Sequence, residues 1–332
     1  MGERRMSADG DMFETRLLRI DAPQAGGIPL GLHEMRRPGD LSLPPVLLLH
    51  GATFAAALFD LPRPGYSLMA ALARAGRAVY ALDVRGYGTS IGGVMDEPPE
   101  TNPPFAGVDE AVQDIEAAVS FVCRRCAAPA VDLTGFSWST IAAARYAGAH
   151  PQTVRRLALY APLFAEQNPS WLGRIADARD RSRLAPAFGA CRLVTAANVL
   201  ERWNSDLPGG DPGLFREDGV AELVFETLAA LDPRSQLQTP RAFRCPNGAL
   251  ADLVEVFNGR PLYDPAKLTM PVLLIRGEQD TTSTATDAQR LLEAIASPVK
   301  RYRVIAPGSH FLCIERNRVK LYDELNDFLA PA

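Results

Sequence analysis

One serine, one histidine and one aspartate in this chain have the types and positions that acyl chemistry requires. The serine is Ser137, in Gly135-Phe136-Ser137-Trp138-Ser139. The run Ala130-Val131-Asp132-Leu133-Thr134 before it is short, apolar and β-branched, and reads as a buried strand. The run Thr140 to Ala147 after it is rich in helix formers. A serine on such a strand-to-helix turn displays its hydroxyl at the carboxyl edge of a sheet. The N–H groups of the turn and of the helix start then face a developing oxyanion. The usual spacing is Gly-x-Ser-x-Gly; here Ser139 takes the last place and is small enough to serve. The pentapeptide alone also fits an ordinary turn, so the surroundings decide.

A serine nucleophile needs a base, and histidine is the usual one near neutral pH. There are four histidines. His33 falls in an early hairpin, His50 shapes the turn after the third strand, and His150 ends the helix leaving the serine turn, at its far pole. His310 remains, in Ala306-Pro307-Gly308-Ser309-His310-Phe311, past the last strand and at the edge where Ser137 is displayed. The third group is a carboxylate that fixes the imidazole tautomer and stabilises its charged form. Asp280 follows the strand Val272 to Ile275 at that edge. Glu278, its competitor, sits closer to the strand end and suits a turn or surface position.

The elements that position these residues alternate. Phe13 to Ile20 and Ile28 to Met35 read as two strands joined by a Gly-rich turn, followed by the unbroken apolar strand Val46 to Leu49. Then come a helix from Ser67 to Ala75, strand Val79 to Asp83, a loop rich in proline and acidic residues from Asp96 to Pro104, and an amphipathic helix from Val108 to Cys123. After the serine turn and its helix, strand Leu157 to Tyr160 follows. From Leu163 to Lys267 the pattern is helical without a strong strand, broken at Leu207 to Gly213. Alternation resumes with Val272 to Ile275, a helix near Asp287 to Ala296, strand Tyr302 to Ile305 and a closing helix from Phe311. This rhythm predicts an α/β fold with a doubly wound, mostly parallel sheet. The core is expected over 1–162 and 268–332, with 163–267 inserted as a helical cap, or lid.

Five short motifs in order resemble the α/β-hydrolase fold with a helical cap. They are His50-Gly51, Asp83 to Ser90, the serine turn, Gly277-Glu278-Gln279-Asp280 and Gly308-Ser309-His310-Phe311. The order Ser, Asp, His is the one that family uses. The resemblance covers about residues 13 to 330. It implies an oxyanion hole from the backbone N–H groups of Trp138 and Ala52, with Thr53 as the alternative to Ala52.

Composition narrows the function further. The 332 residues are 47% hydrophobic and 22% charged, as in ordinary globular proteins. A formal net charge of −4 gives no basic face for nucleic acid, and no apolar run reaches membrane-spanning length. The N-terminal Met1 to Ser7 is polar, without a signal-peptide stretch, so a cytoplasmic location is expected. Five cysteines, an odd number, fit that compartment, and the lone Cys123-x-x-Cys126 suggests neither metal nor redox chemistry. No ligand cluster suggests a metal and Gly86-Tyr87-Gly88 lacks dinucleotide spacing, so no cofactor is expected. The expected partner is a small-molecule substrate; oligomeric state is not specified by the sequence.

Phe54, Leu58, Phe59, Trp138, Phe164, Trp171, Trp203 and Phe311 are the apolar residues expected near the site, suiting a small to medium apolar acyl or aryl group. Arg174, Arg179, Arg181 and Arg183 with Asp177 and Asp180 read as a solvated face. The reading is a serine hydrolase acting on a carboxylic ester through Ser137, His310 and Asp280. Acyl transfer, C–C bond hydrolysis and ligand binding with negligible turnover are the alternatives.

Overall fold

The computed structural model describes residues 3–6, 10–22, 27–39, 41–207 and 211–331. Met1, Gly2 and Ser7 of the polar N-terminus, most of the Gly-rich turn after Ile20, and 208–210 of the Pro/Gly interruption lie outside the described residues.

The chain opens with strands β1 (Glu3–Met6), β2 (Met12–Ile20) and β3 (Leu30–Arg36). It continues through β4 (Val46–Leu49), α1 (Leu68–Arg74), β5 (Val79–Leu82), α2 (Val108–Cys126), β6 (Val131–Phe136), α3 (Trp138–Ala149) and β7 (Val154–Tyr160). It then leaves the sheet for α4 (Pro169–Ile175), β8 (Cys191–Thr195), α5 (Ala196–Asn204), α6 (Val220–Ala229), β9 (Ala242–Pro246) and α7 (Gly248–Phe257). It returns for β10 (Val272–Gly277), α8 (Ala285–Ala294), β11 (Lys300–Ile305) and α9 (Arg318–Leu329).

Nine strands form one sheet in the order β1-β2-β3-β5-β4-β6-β7-β10-β11. The pairs from β5 through β11 are parallel; those joining β1, β2, β3 and β5 are antiparallel. Every residue of β4, β5, β6 and β10 is buried, as expected of central strands covered on both faces. On α2 the buried residues Val108, Ala111, Ile115, Ala118, Val119 and Val122 recur at helical spacing and make one inner face. Ser67 caps α1 by accepting the Ala70 N–H at 2.9 Å, which fixes the start of that helix. No helix among the described residues is long and apolar enough to cross a membrane.

Three features differ from the sequence expectation. The polar β1 extends the sheet by pairing Arg4 opposite Glu14. The inserted segment is not wholly helical: β8 and β9 form a separate antiparallel ribbon, with Cys191 opposite Pro246 and Thr195 opposite Ala242. Each of those strands is short and carries an arginine, and their pairing spans a long stretch of chain, so no local pattern announces it. The closing helix starts at Arg318 rather than Phe311, because a 3₁₀ turn over Leu312–Ile314 comes first.

Candidate active site

Ser137 stands at the junction of β6 and α3 with φ 56° and ψ −122°, a conformation costly for any residue with a side chain. The surrounding structure enforces it. The Ser137 N–H donates to the Tyr160 carbonyl at 2.9 Å, and the Thr140 N–H donates back to the Ser137 carbonyl at 2.8 Å. A Cβ at Gly135 would lie 2.6 Å from the Ser139 carbonyl oxygen, so only glycine lets α3 pass this close to β6. Ser139, where the spacing rule puts glycine, fits because its hydroxyl donates to the buried carbonyl of His50.

His310 lies in the loop after β11, with Nε2 2.8 Å from Ser137 Oγ. Its Nδ1 is 2.9 and 3.0 Å from the two carboxylate oxygens of Asp280. All three residues are at most 6% exposed. Asp280 also accepts the N–H groups of Thr282 and Ser283 at 2.9 and 2.8 Å. Burial works to raise its pKa, but the facing imidazole, the Ser283 N–H and the charge of Arg276 prevail and hold the carboxyl below its ordinary value. Glu278 is exposed, and among the described residues its carboxylate accepts only from the neighbouring Gln279 amide, at 2.7 Å, so it does not reach the imidazole.

The two loops meet because Gly277 has no side chain: a Cβ there would lie 2.4 Å from the carbonyl oxygens of Gly308 and Ser309. The Tyr160 hydroxyl donates to the His310 carbonyl at 2.7 Å. Glu315, 1% exposed, accepts the Ser309 N–H at 2.8 Å and the Ser309 hydroxyl. These contacts set the loop that carries the imidazole, and Glu315 was not singled out by sequence because a lone glutamate after a turn reads as surface.

The other histidines lie elsewhere. His33 bonds Asp83 at 2.9 Å on β3, and His150 stacks on Tyr146 at the end of α3. His50 is fully buried, and its Nδ1 faces the Gly51 carbonyl at 2.9 Å while Nε2 accepts the Val84 N–H at 3.2 Å. Burial lowers its pKa, so it is a neutral brace for the turn.

Beyond that turn, the N–H groups of Ala52 and Trp138 have no acceptor among the described residues. The Ala52 carbonyl is pinned by the Tyr87 hydroxyl at 3.0 Å, Arg192 Nη2 at 3.0 Å and Cys245 Sγ at 3.2 Å. The Trp138 indole is buried, donates to Asp252 at 2.8 Å and is absent from the lining of the cavity over the serine.

A cavity of about 40 Å³ lies over the serine. Ser137, His310, Ala52, Thr53, Phe54, Phe136 and Phe311 line it from the core. Trp171, Arg202, Leu250 and Leu253 line it from the inserted segment, and Thr282 from the loop after Asp280. Four residues expected here are elsewhere. Leu58 and Phe59 are folded into the core by a 3₁₀ turn. The Phe164 ring meets Tyr263 while its N–H donates to Asp287 at 2.7 Å. Trp203 is 1% exposed, packs on Phe311 from outside the cavity and donates to Glu315 at 2.9 Å. Arg202, Thr282, Leu250 and Leu253 were not anticipated. The i, i+3 apolar pair on α7 was the available signal for the leucines.

A larger, open hollow of about 540 Å³ beside β2 and β3 is lined by Arg16, His33, Glu34 and Asp60 and contains no member of the serine constellation. The one grouping among the described residues with metal-ligand proximity is Asp206, Asp280 and His310, whose ligand atoms lie within 4.8 Å of one another. Those atoms already bond Thr281, Arg202, Ser283 and each other.

The geometry is matched by family likeness. A model of the family described as alpha/beta hydrolase fold matches residues 44–317. The chain belongs to the α/β-hydrolase fold family. The 2-hydroxy-6-oxo-6-phenylhexa-2,4-dienoate hydrolase of Rhodococcus sp. strain RHA1 superimposes with a TM-score of 0.63 at 21% identity, over 96% of this chain and 100% of that one. Epoxide hydrolase A of Mycobacterium thermoresistibile gives 0.62 at 18%, over 95% and 98%. E-2-(acetamidomethylene)succinate hydrolase gives 0.61 at 20%, over 95% and 99%. At these identities the likeness establishes the fold alone. None of the curated proteins matches the sequence. Within the α/β-hydrolase fold family, substrate choice is set by the site and not by the sheet.

Proposed function

We propose that the protein is a serine hydrolase that cleaves a carboxylic ester by way of an acyl-enzyme, with residues 163–267 acting as its cap. One observation carries the reading: Ser137 Oγ, His310 and Asp280 form a continuous hydrogen-bonded chain of 2.8 and 2.9 Å that opens into a cavity. Ser137 attacks the carbonyl carbon while His310 Nε2 takes its proton. Asp280 stays ionised and stabilises the imidazolium. The N–H groups of Ala52 and Trp138 hold the oxyanion, and His310 returns the proton to the leaving alkoxide. Water then repeats the sequence on the acyl-serine.

The nucleophile chooses among the bond types that this fold serves. A serine oxygen opening an epoxide would leave an ether, which the same machinery has no means to hydrolyse, whereas attack on an acyl carbon leaves an ester that water clears. Structural likeness to an epoxide hydrolase therefore does not carry that activity to this chain.

The test is labelling with a fluorophosphonate probe together with turnover of short-chain esters. Wild-type protein is expected to label and turn over, and Ser137→Ala to lose labelling and about 10⁴-fold or more of the rate. More than a tenth of the activity remaining in Ser137→Ala would overturn the mechanism.

A further inference from the structure

Part of the cavity wall offers hydrogen-bond donors and no acceptors. Thr282 Oγ1 accepts from Arg202 Nη2 at 2.7 Å and from Trp171 Nε1 at 3.1 Å. A guanidinium and an indole can only donate, so both lone pairs of this hydroxyl are occupied and its own proton must find an acceptor elsewhere. Among the described residues it has none, although Thr282 is only 4% exposed.

Arg202 is in a similar position. Its Nη1 bonds Asp206 Oδ2 and Ser205 Oγ, both at 3.1 Å, and one Nη2 proton goes to Thr282. Its Nε–H and second Nη2–H have no acceptor among the described residues. The guanidinium is held 5.0 Å from the Trp171 ring and 5.1 Å from the Phe311 ring, which fixes where those donors point. Apart from His310, Arg202 is the sole ionisable side chain in a lining otherwise made of apolar residues, Ser137 and two threonines. Asp206 does not complete the set, since it takes Nη1 and the Thr281 hydroxyl and is itself buried.

A fixed guanidinium edge beside a free hydroxyl proton, in an otherwise apolar wall, complements an acceptor that carries negative charge, because charge-assisted bonds are the strong ones. We propose that Arg202 and Thr282 form a carboxylate subsite, so that the preferred substrate is an ester bearing a free carboxylate. This rests on the ester-hydrolase reading above. The cavity of about 40 Å³ has room for about three water molecules, which places the carboxylate only a few bonds from the carbonyl at Ser137.

Two matched pairs of esters test the subsite. Monoethyl succinate against ethyl 4-methylpentanoate puts the charge on the acyl side. 3-Acetoxypropanoate against 3-methylbutyl acetate puts it on the alcohol side. The full-length protein is expected to prefer the charged member of at least one pair by tenfold or more in kcat/KM. Arg202→Gln is expected to cut that preference tenfold or more, and Thr282→Val to cut it severalfold without altering charge. No preference in wild type, or a preference that survives both variants, overturns the subsite and leaves the hydrolase reading standing. If neither pair turns over and the fluorophosphonate does not label, the hydrolase reading fails instead. Calorimetric titration with succinate then decides the subsite: binding weakened tenfold by Arg202→Gln supports it, and equal or absent binding overturns it. Arg202→Lys, which keeps the charge, guards against a Gln variant that fails to fold and is expected to retain part of the preference.

Discussion

The Ser139 hydroxyl donates to the carbonyl of His50, joining the turn that carries Ser137 to the loop that carries Ala52. The departure from glycine thus adds a tie between the turn and the loop whose N–H groups we propose hold the oxyanion. Ser139→Ala leaves a buried carbonyl without this donor and is expected to lower stability by about 1–3 kcal/mol, with a moderate fall in kcat. Urea denaturation and ester turnover measure both; unchanged stability would show that the tie contributes nothing.

Asp280 and Glu278 separate cleanly. Asp280→Asn keeps the side-chain shape but favours the wrong imidazole tautomer, and is expected to lower kcat by about 10⁴-fold. Glu278→Gln removes an exposed charge and is expected to change kcat less than about threefold. Comparable losses in the two variants would move the acid assignment away from Asp280.

Asp252 on α7 gives the molecule a pH dependence of its own. Burial raises its carboxyl from 3.8 to about 7; the Trp138 indole and the Val108 N–H oppose the shift, and the charges of Asp109 and Glu110 add to it. Across that window the native state keeps a proton that the unfolded chain has released. Stability attributable to this group therefore falls as pH rises and levels off above about 7, by up to about 4 kcal/mol in total. Asp252→Asn, a mimic of the neutral acid, is expected to be more stable than wild type at pH 8 and equal to it near pH 4. Denaturation curves that shift in parallel at both pH values would refute this.

The neighbouring tryptophan positions have different duties. Trp171 lines the cavity, so Trp171→Ala is expected to alter the relative kcat/KM for short and long acyl chains, where a methylene is worth about 1–3 kcal/mol. Trp203 packs outside it and satisfies Glu315, so Trp203→Ala is expected to lower stability by about 3–5 kcal/mol and leave the chain-length ratio unchanged. Measuring both properties in both variants checks the assignment, and a changed ratio in Trp203→Ala would contradict it.

That Ser137, Asp280 and His310 would come together was legible because β6 and β10 are buried, mostly apolar strands, and the alternation with helices places the charged β11 beside them in the same parallel sheet, so strand order brings all three to one edge. The cavity wall was not. Arg202 and Trp203 are adjacent on α5, yet one reaches the cavity and the other the core behind Phe311. Consecutive helix positions point about 100° apart, and only the docking of α5 against α6 and the loop bearing Phe311 decides which faces inward. Phe59 and Phe164 misled for the same reason: proximity in sequence to a catalytic loop does not fix side-chain direction. The β8–β9 ribbon forms through pairing between distant segments that neither segment signals by itself.

Thr281 and Thr282, next to Asp280, are fastened from the inserted segment: Asn168 bonds the Thr281 carbonyl, Asp206 the Thr281 hydroxyl, and Trp171 and Arg202 the Thr282 hydroxyl, while Arg276 of the core holds the carbonyls of Asp280 and Ser283. A transplant of this segment from a relative, undertaken to change substrate range, would therefore strip four clamps from a loop that belongs to the recipient. Such a chimera would keep its sheet, its serine and the core contacts of Asp280, and still loosen the two threonines that follow Asp280. Swapping the roof here means rebuilding one of the walls.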